Sequence, residues 1–564
     1  MVKDKAASLL WPSETSRNDY KDVIRIEDQA VTDLGLERIF QELSFNHKYY
    51  PDIKRLLLGL CDDPDVIRYR LDILDDVMHI AELSVDLERV LPDIHKLDIH
   101  YRSKVITGAE PLRKIAWQME ALEVYVQNVA TLKTMSSKFK QTVKSEGLRR
   151  LFASIESIAE EDGYRALAAA LPDYRLKLQG ISSVTIGVNL DHELKPAEAI
   201  ILSLDSKPFK NRKSSLLSSL FGMKSVEEPY EGISPFQNIK KLNHSALDTA
   251  LLKSLEEVFN DALLPIGNAM KRFIEVNIPA ITELEMEIGY YVGAAKFCKL
   301  LESAGLTMCK PELAPVEERI CRIHNMIDVN LALGLTRQHP GIELHRTIVA
   351  NDVEFGSDGR VFILTGPNQG GKTTYTRAIG VAQILCQAGL FVPGSRAVLS
   401  PVDGLYTHFS EEEKPNIDNG RLGEESRRLH GIFMNATRHS LILLNESLSS
   451  TSSRDSLYVA RDIVKAMKVL GCRAVYATHL LELAAGVDQI NAELPGDDLV
   501  ISMVAGVERE RDEESRPGQK ARRTYKIKPG PPNEMSFAKD IARLYGISFD
   551  QIVQTLKERN VIDR

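Results

Sequence analysis

The stretch VFILTGPNQGGKTTYTR, residues 361–377, restricts this chain more than any other. An apolar run ends in a glycine-rich turn that opens directly into a helix-forming segment. Gly366, Gly371, Lys372 and Thr373 satisfy G-x-x-x-x-G-K-[ST]. In this pattern the glycines let backbone N–H groups curl around phosphates. The lysine neutralises the outer phosphates, and the hydroxyl can ligate Mg2+. With a strand before it and a helix after it, the motif predicts ATP binding by the whole loop: Gly366, Pro367, Asn368, Gln369, Gly370, Gly371, Lys372, Thr373 and Thr374.

The surrounding texture is α/β. DVNLALGL (328–335), RVFILTG (360–366), HSLILLNE (439–446) and RAVYATH (473–479) read as buried strands, and helical segments separate the later ones. That alternation predicts a mostly parallel sheet with helices on both faces. In phosphate-handling ATPases a second strand ends in Asp-Glu; here it ends in Asn445-Glu446. The Asn445 amide oxygen still accepts a hydrogen bond, but the charge is gone. Mg2+ is therefore expected on Thr373 directly and on Asn445 through water. Glu446 is expected to orient or deprotonate the attacking water. His479, ending the next strand, is expected to meet the γ-phosphate, the alternative being a structural histidine. Lys372, Glu446 and His479 form the predicted catalytic set of a working but slow ATPase.

The rest of the chain predicts further domains. Residues 1–165 carry helical stripes, as in Ile67, Leu71, Leu74 and Met78, or Leu122, Val126, Val129 and Leu132. Residues 166–244 contain SSVTIGVNLD and EAIILSL, which read as strands. A basic island of Lys207, Lys210, Arg212 and Lys213 follows, either a DNA-phosphate contact or a solvated loop. Helical pattern returns over 245–307, and 308–564 is the α/β region. The charged segment 508–523 reads as a hairpin loop. At the C-terminus, Ser548 and Gln551 suggest a capping box, and Ile547 with Ile552 a hydrophobic staple.

Composition narrows the class. The net charge of −8 excludes a wholly basic nucleic-acid-binding surface, so any DNA contact must be a local patch. Six scattered cysteines show no zinc-like spacing and predict no disulfides. There is no signal-peptide pattern and no membrane-span pattern, so a soluble, cytoplasmic protein without membrane association is expected.

These motifs together resemble the MutS family of DNA mismatch-repair ATPases. The resemblance is dense over 337–547, through RQHPGIE, VANDV, the phosphate loop, LFVPGSRAVLSPVDGLYTHF, NATRHSLILLNESLSSTSSRDS, YATHLLEL and TYKIKPGPPNEMSFAKDIARLYGI. DPDVIRYRLDIL extends it into the helical region. It implies a multidomain fold: a helical core and lever domain, a small strand-containing clamp insertion, and a P-loop α/β ATPase domain of MutS/ABC type. It also implies a homodimer in which each ATP is completed by a segment of the other subunit. NGRLGEES aligns with that segment, assigning Gly420, Gly423 and Glu425 to the trans contact. The C-terminal helices are similar to the family's dimerising tail, with a packed helical hairpin as the alternative. No counterpart of the Phe-x-Glu mismatch wedge is found, so classical mismatch recognition is not implied. The expected activity is an ATP-gated DNA clamp, acting on duplex, mismatched or branched DNA. The alternative is an ATP-binding dimeric scaffold with little hydrolysis; a small-molecule phosphotransferase is disfavoured, because nothing supplies an acceptor pocket.

Overall fold

The computed structural model describes residues 7–102, 111–179, 183–193, 196–205, 207, 278–339, 341–410, 421–448, 452–509, 521–532, 546–559 and 561–562. The chain divides into two compact units. One comprises Met1–Ala7, Val85–Val143 and Arg149–Glu285; the other comprises Ser8–Ser84, Lys144–Leu148 and Met286–Arg564.

The second unit holds the central sheet. Its strands are Val361–Thr365 (β1), Leu405–Phe409 (β2), Leu441–Asn445 (β3), Arg473–Ala477 (β4), Val500–Arg509 (β5) and Ala521–Pro529 (β6). They lie in the order β2-β3-β4-β1-β5-β6. Strands β1 to β5 are parallel, and β6 pairs antiparallel with β5. Every residue of β1, β3 and β4 is buried. Parallel strands covered on both faces need unbroken apolar runs rather than alternation, which is how these segments read. Phe409, Asn445 and Ala477 are neighbours in register, and Ala477 pairs with Leu364. The loops leaving β1, β3 and β4 therefore emerge side by side at the carboxyl edge, where open α/β sheets bind ligands.

Helices that flank the sheet include Lys372–Ala388 (α1), Arg421–Asn435 (α2) and Ser453–Leu470 (α3). On one face, Val361, Ile363, Ile442, Leu444, Ala474 and Tyr476 pack with Leu429 and Ile432 of α2 and with Val464 and Met467 of α3. Each fully buried aliphatic side chain contributes about 1.5–3 kcal/mol. Helix α1 covers the other face. A Cβ on Gly380 would stand 2.8 Å from both Leu443 and Leu34. Leu34 closes the helix Asp28–Leu34, whose Asp33 carboxylate accepts from the Thr407 hydroxyl at 2.7 Å and the Phe409 N–H at 3.2 Å.

The far end of α1 is also fixed. Gln387 Nε2 donates to the Cys61 and Val402 carbonyls, each at 2.9 Å, and its Oε1 accepts from the Val402 N–H at 2.9 Å. The Tyr290 hydroxyl donates to the Ala388 carbonyl at 2.7 Å. Gly389 ends the helix at φ +82°, and a Cβ there would stand 2.2 Å from Arg70 Cβ. Arg70 is itself fully buried, with its guanidinium over the Trp11 ring.

One strand expectation is overturned. DVNLALGL forms the helix Val329–Gln338. The Asp328 carboxylate accepts from the N–H groups of Asn330 at 2.7 Å and Leu331 at 3.2 Å. A short apolar run has no period that separates strand from helix, and here the N-cap decides. The C-terminal capping box also fails to form. The Ser548 hydroxyl donates to the Gln551 side-chain oxygen at 2.7 Å and makes no cap to the helix Phe549–Glu558. Ile547 and Ile552 remain 60% and 41% exposed, so no staple closes over them.

The first unit is mainly helical. Pro111–Phe139 packs with Asp162–Gln179. Tyr125 meets Tyr164 edge-on, and the Asn128 amide donates to the Val124 and Asp93 carbonyls at 2.8 and 3.1 Å. Strands Ser183–Leu190 and Pro196–Asp205 pair as an antiparallel hairpin, as their period-two pattern requires. All six cysteines are free, and five are buried. Among the described residues, no helix is long and apolar enough to cross a membrane.

Candidate active site

At the carboxyl edge lies a cleft of about 490 Å³. One wall is the loop from Gln369 to Thr374. Ile327, Leu331, Leu335, Ile348 and Val349 supply an apolar part, and Asp328, Thr347, Asn351, Glu446 and Tyr525 also line the cleft. The cleft thus joins the polar phosphate loop to an apolar part.

The loop's path demands its glycines. Gly366 sits at φ +146° with Ala505 Cβ only 2.7 Å from where a Cβ would be, and Gly371 at φ +93° starts α1. Gln369, which is not a glycine, also adopts a positive φ of 57°. Lys372 is 4% exposed, and its ammonium donates to the Gly366 and Pro367 carbonyls at 3.1 and 3.3 Å. Burial lowers its pKa below the ordinary lysine value, and Glu446, 3.9 Å away, opposes that shift.

The end of β3 brings the other predicted residues together. The Thr373 hydroxyl donates to Asn445 Oδ1 at 3.1 Å. His479 Nε2 lies 2.8 Å from Glu446 Oε1. An ionised carboxylate only accepts, so Nε2 carries the proton of this bond. The bond from His479 is the main force holding Glu446 below the usual carboxylate range, against the opposing effect of burial, and the nearby charges of His479 and Lys372 add to it.

Glu446 itself adopts φ +54°, a conformation that costs a non-glycine residue about 1–2 kcal/mol. Its surroundings supply the constraint. The Glu446 N–H donates to the Ala477 carbonyl at 2.8 Å, and the Tyr476 hydroxyl donates to the Ser447 carbonyl at 3.1 Å. Ser447 Oγ donates to the His408 carbonyl at 3.1 Å, and Ser456 Oγ to the Leu448 carbonyl at 2.6 Å. Four hydrogen bonds thus hold the turn Glu446–Leu448 in place.

Two family descriptions match the chain. The MutS2 N-terminal domain covers residues 62–304, and MutS domain V covers residues 362–558. The chain belongs to the MutS family. Domain V is the ATPase domain of the MutS family, and its match contains Lys372, Asn445, Glu446 and His479. MutS-family domains carry DNA binding, ATP binding and mismatch repair as family functions.

The remaining predicted residues of this MutS-family chain are spread more widely. Pro367 and Asn368 lie in the loop between Gly366 and Gln369, and Gly370 and Thr374 line the cleft. Gly423 is on α2 with nothing within 4 Å of a Cβ placed there, whereas Glu425 is buried against its own chain at 6% exposure. Gly420 lies outside the described residues, as do Lys210, Arg212 and Lys213; Lys207 is described and exposed.

Sequence reasoning missed the cleft's second wall. Tyr525 stands at φ +55°, and its ring is 3.7 Å from where a Gly371 Cβ would be. Asn351 Nδ2 donates to the Tyr525 carbonyl at 3.0 Å, and its Oδ1 accepts from the Ile527 N–H at 2.8 Å. These bonds join residues 174 and 176 positions apart, which no local pattern encodes.

Proposed function

We propose that this chain is an ATP-gated DNA clamp of MutS type, working as a homodimer and hydrolysing ATP slowly. The observation that carries the reading is the meeting of the phosphate loop with the end of β3: Thr373 bonded to Asn445, and Glu446 bonded to His479. The triphosphate would lie along the loop and the start of α1, with the base toward Ile348, Val349 and Tyr525. Thr373 Oγ1 and Asn445 Oδ1 are two oxygen donors 3.1 Å apart, a donor set that suits Mg2+. When bound, the ion would offset phosphate charge. Glu446, kept ionised by His479, accepts the proton of the attacking water at its carboxylate. Lys372 exchanges its loop carbonyls for phosphate oxygens. The neutral Asn445 is the reason for slow turnover, because its amide cannot hold a metal-bound water as a carboxylate does.

On this reading Gly420 and Gly423 face the partner's ATP, with the buried Glu425 behind them in its own subunit, and Lys207, Lys210, Arg212 and Lys213 contact DNA phosphates without reading sequence. ATP hydrolysis measured with homoduplex, mismatched, junction and single-stranded DNA tests it. DNA-stimulated turnover that Glu446→Gln abolishes is the expected result; unchanged turnover in that variant removes Glu446 from the chemistry. A second reading, an ATP-binding scaffold, draws on the same Asn445. It is recognised by ATP-dependent dimerisation with no phosphate release on any DNA.

A further inference from the structure

Beside the phosphate loop stands a cation that the ATPase reading does not use. Strand β6 passes over the phosphate loop, and two of its residues meet the loop at two points, the left-handed turn at Tyr525 interrupting the strand's alternation between them. Tyr525 stands over Gly371. Arg523 donates from Nη1 to Gln369 Oε1 at 2.9 Å. Gln369 is the loop residue forced into the left-handed region, and it lines the cleft.

The chemistry of this pair is specific. A guanidinium offers five N–H donors in a planar fork, the geometry that suits phosphate oxygens, and one bond to an amide leaves most of that fork available. Gln369 is neutral, so it orients Arg523 without cancelling its charge, as a glutamate there would. The crown of the loop, where Gln369 sits, is the end at which the outer phosphates of a nucleotide lie, beside the loop lysine. There Lys372 stands 3.9 Å from the Glu446 carboxylate, while position 445 contributes only an amide, so the positive charge at this end is incompletely balanced.

We propose that Arg523 is a phosphate ligand supplied within the same subunit, positioned by Gln369. It contacts the terminal phosphate and so favours nucleoside triphosphate over diphosphate. This rests on the nucleotide-binding reading above. The transfer needs only a side-chain rotation: the Nη1 bond to Gln369 is kept while the other donors turn to the phosphate, or it is exchanged for one.

The test is calorimetric titration of the full chain with a non-hydrolysable ATP analogue and with ADP. Wild type, Arg523→Gln, Arg523→Lys, Gln369→Ala and Lys372→Ala are compared, and circular dichroism checks folding. Arg523→Gln is expected to weaken the triphosphate analogue about tenfold, the scale of one charge-assisted hydrogen bond, and ADP by less than about threefold. Arg523→Lys retains part of the preference, and Gln369→Ala loses part of it. An unchanged triphosphate-to-diphosphate ratio in Arg523→Gln, or an equal loss for both nucleotides, overturns the assignment. If wild type binds and Lys372→Ala does not while Arg523→Gln matches wild type, only Arg523 is wrongly placed. If wild type binds neither nucleotide, the nucleotide-binding reading falls and this proposal with it.

Discussion

Removing the His479 imidazole should move the acid limb of ATP hydrolysis upward in pH. Glu446 must be ionised to take a proton from water, and the 2.8 Å bond from His479 is the largest cause of its lowered pKa. A hydrogen bond to a charged group is worth about 1.5–3 kcal/mol. His479 is 44% exposed and Glu446 32%, so solvent screening reduces the net to about 1 kcal/mol. Losing that bond should therefore raise the acid limb in His479→Ala. The direction follows from linkage. A carboxylate with a depressed folded pKa contributes stability that is full above its unfolded pKa and is lost as pH falls through its folded value. Without His479 that stabilisation shrinks, and protonation of Glu446 begins at higher pH. The assay is single-turnover phosphate release across acidic to neutral pH, with His479→Gln as a donor-retaining comparison. A limb that stays in place or moves to lower pH in the alanine variant would refute the assignment.

Tyr525→Ala should weaken nucleotide binding by about 1–3 kcal/mol, the range for one base stacked on an aromatic ring, as read by titration with a fluorescent ATP analogue. Gly389→Ala should destabilise the ATPase unit by about 2–5 kcal/mol in urea unfolding. It combines a left-handed backbone at φ +82° with overpacking against Arg70 at 2.2 Å. Neutralising Lys207, Lys210, Arg212 and Lys213 together should reduce the slope of log affinity against log salt for duplex DNA by up to about 3.6, at ~0.9 for each phosphate no longer neutralised. An unchanged slope would leave these residues as a solvated loop.

What the sequence displays and what it hides follow from range. The phosphate loop is legible because its glycines answer to local backbone demands and its flanking strand and helix are contiguous. β3 and β4 are legible because strands buried on both faces leave apolar runs ending in polar residues, and Glu446 stands at such an end. The helix Val329–Gln338 reads wrongly as a strand because an apolar octet has no distinguishing period, and one Asp328 carboxylate settles its form. Tyr525, Asn351 and Arg523 are invisible as site residues because their roles arise only when β6 returns over a loop more than 150 positions earlier, as the 154-position gap from Gln369 to Arg523 records.

Helix α1 has 17 residues and so spans about 25 Å, with its first turn at the phosphate loop. Its last turn is locked by Gln387, Ala388 and Gly389 to the backbone at Cys61, to Tyr290 and to Arg70. A rod held this way has no slack. If the start moved as phosphates arrived or left, the bonds at the opposite tip would join that movement to the segments carrying Cys61 and Tyr290. On the proposed function, an unbroken helix of this length is the element through which events at the phosphates would be felt at its far end.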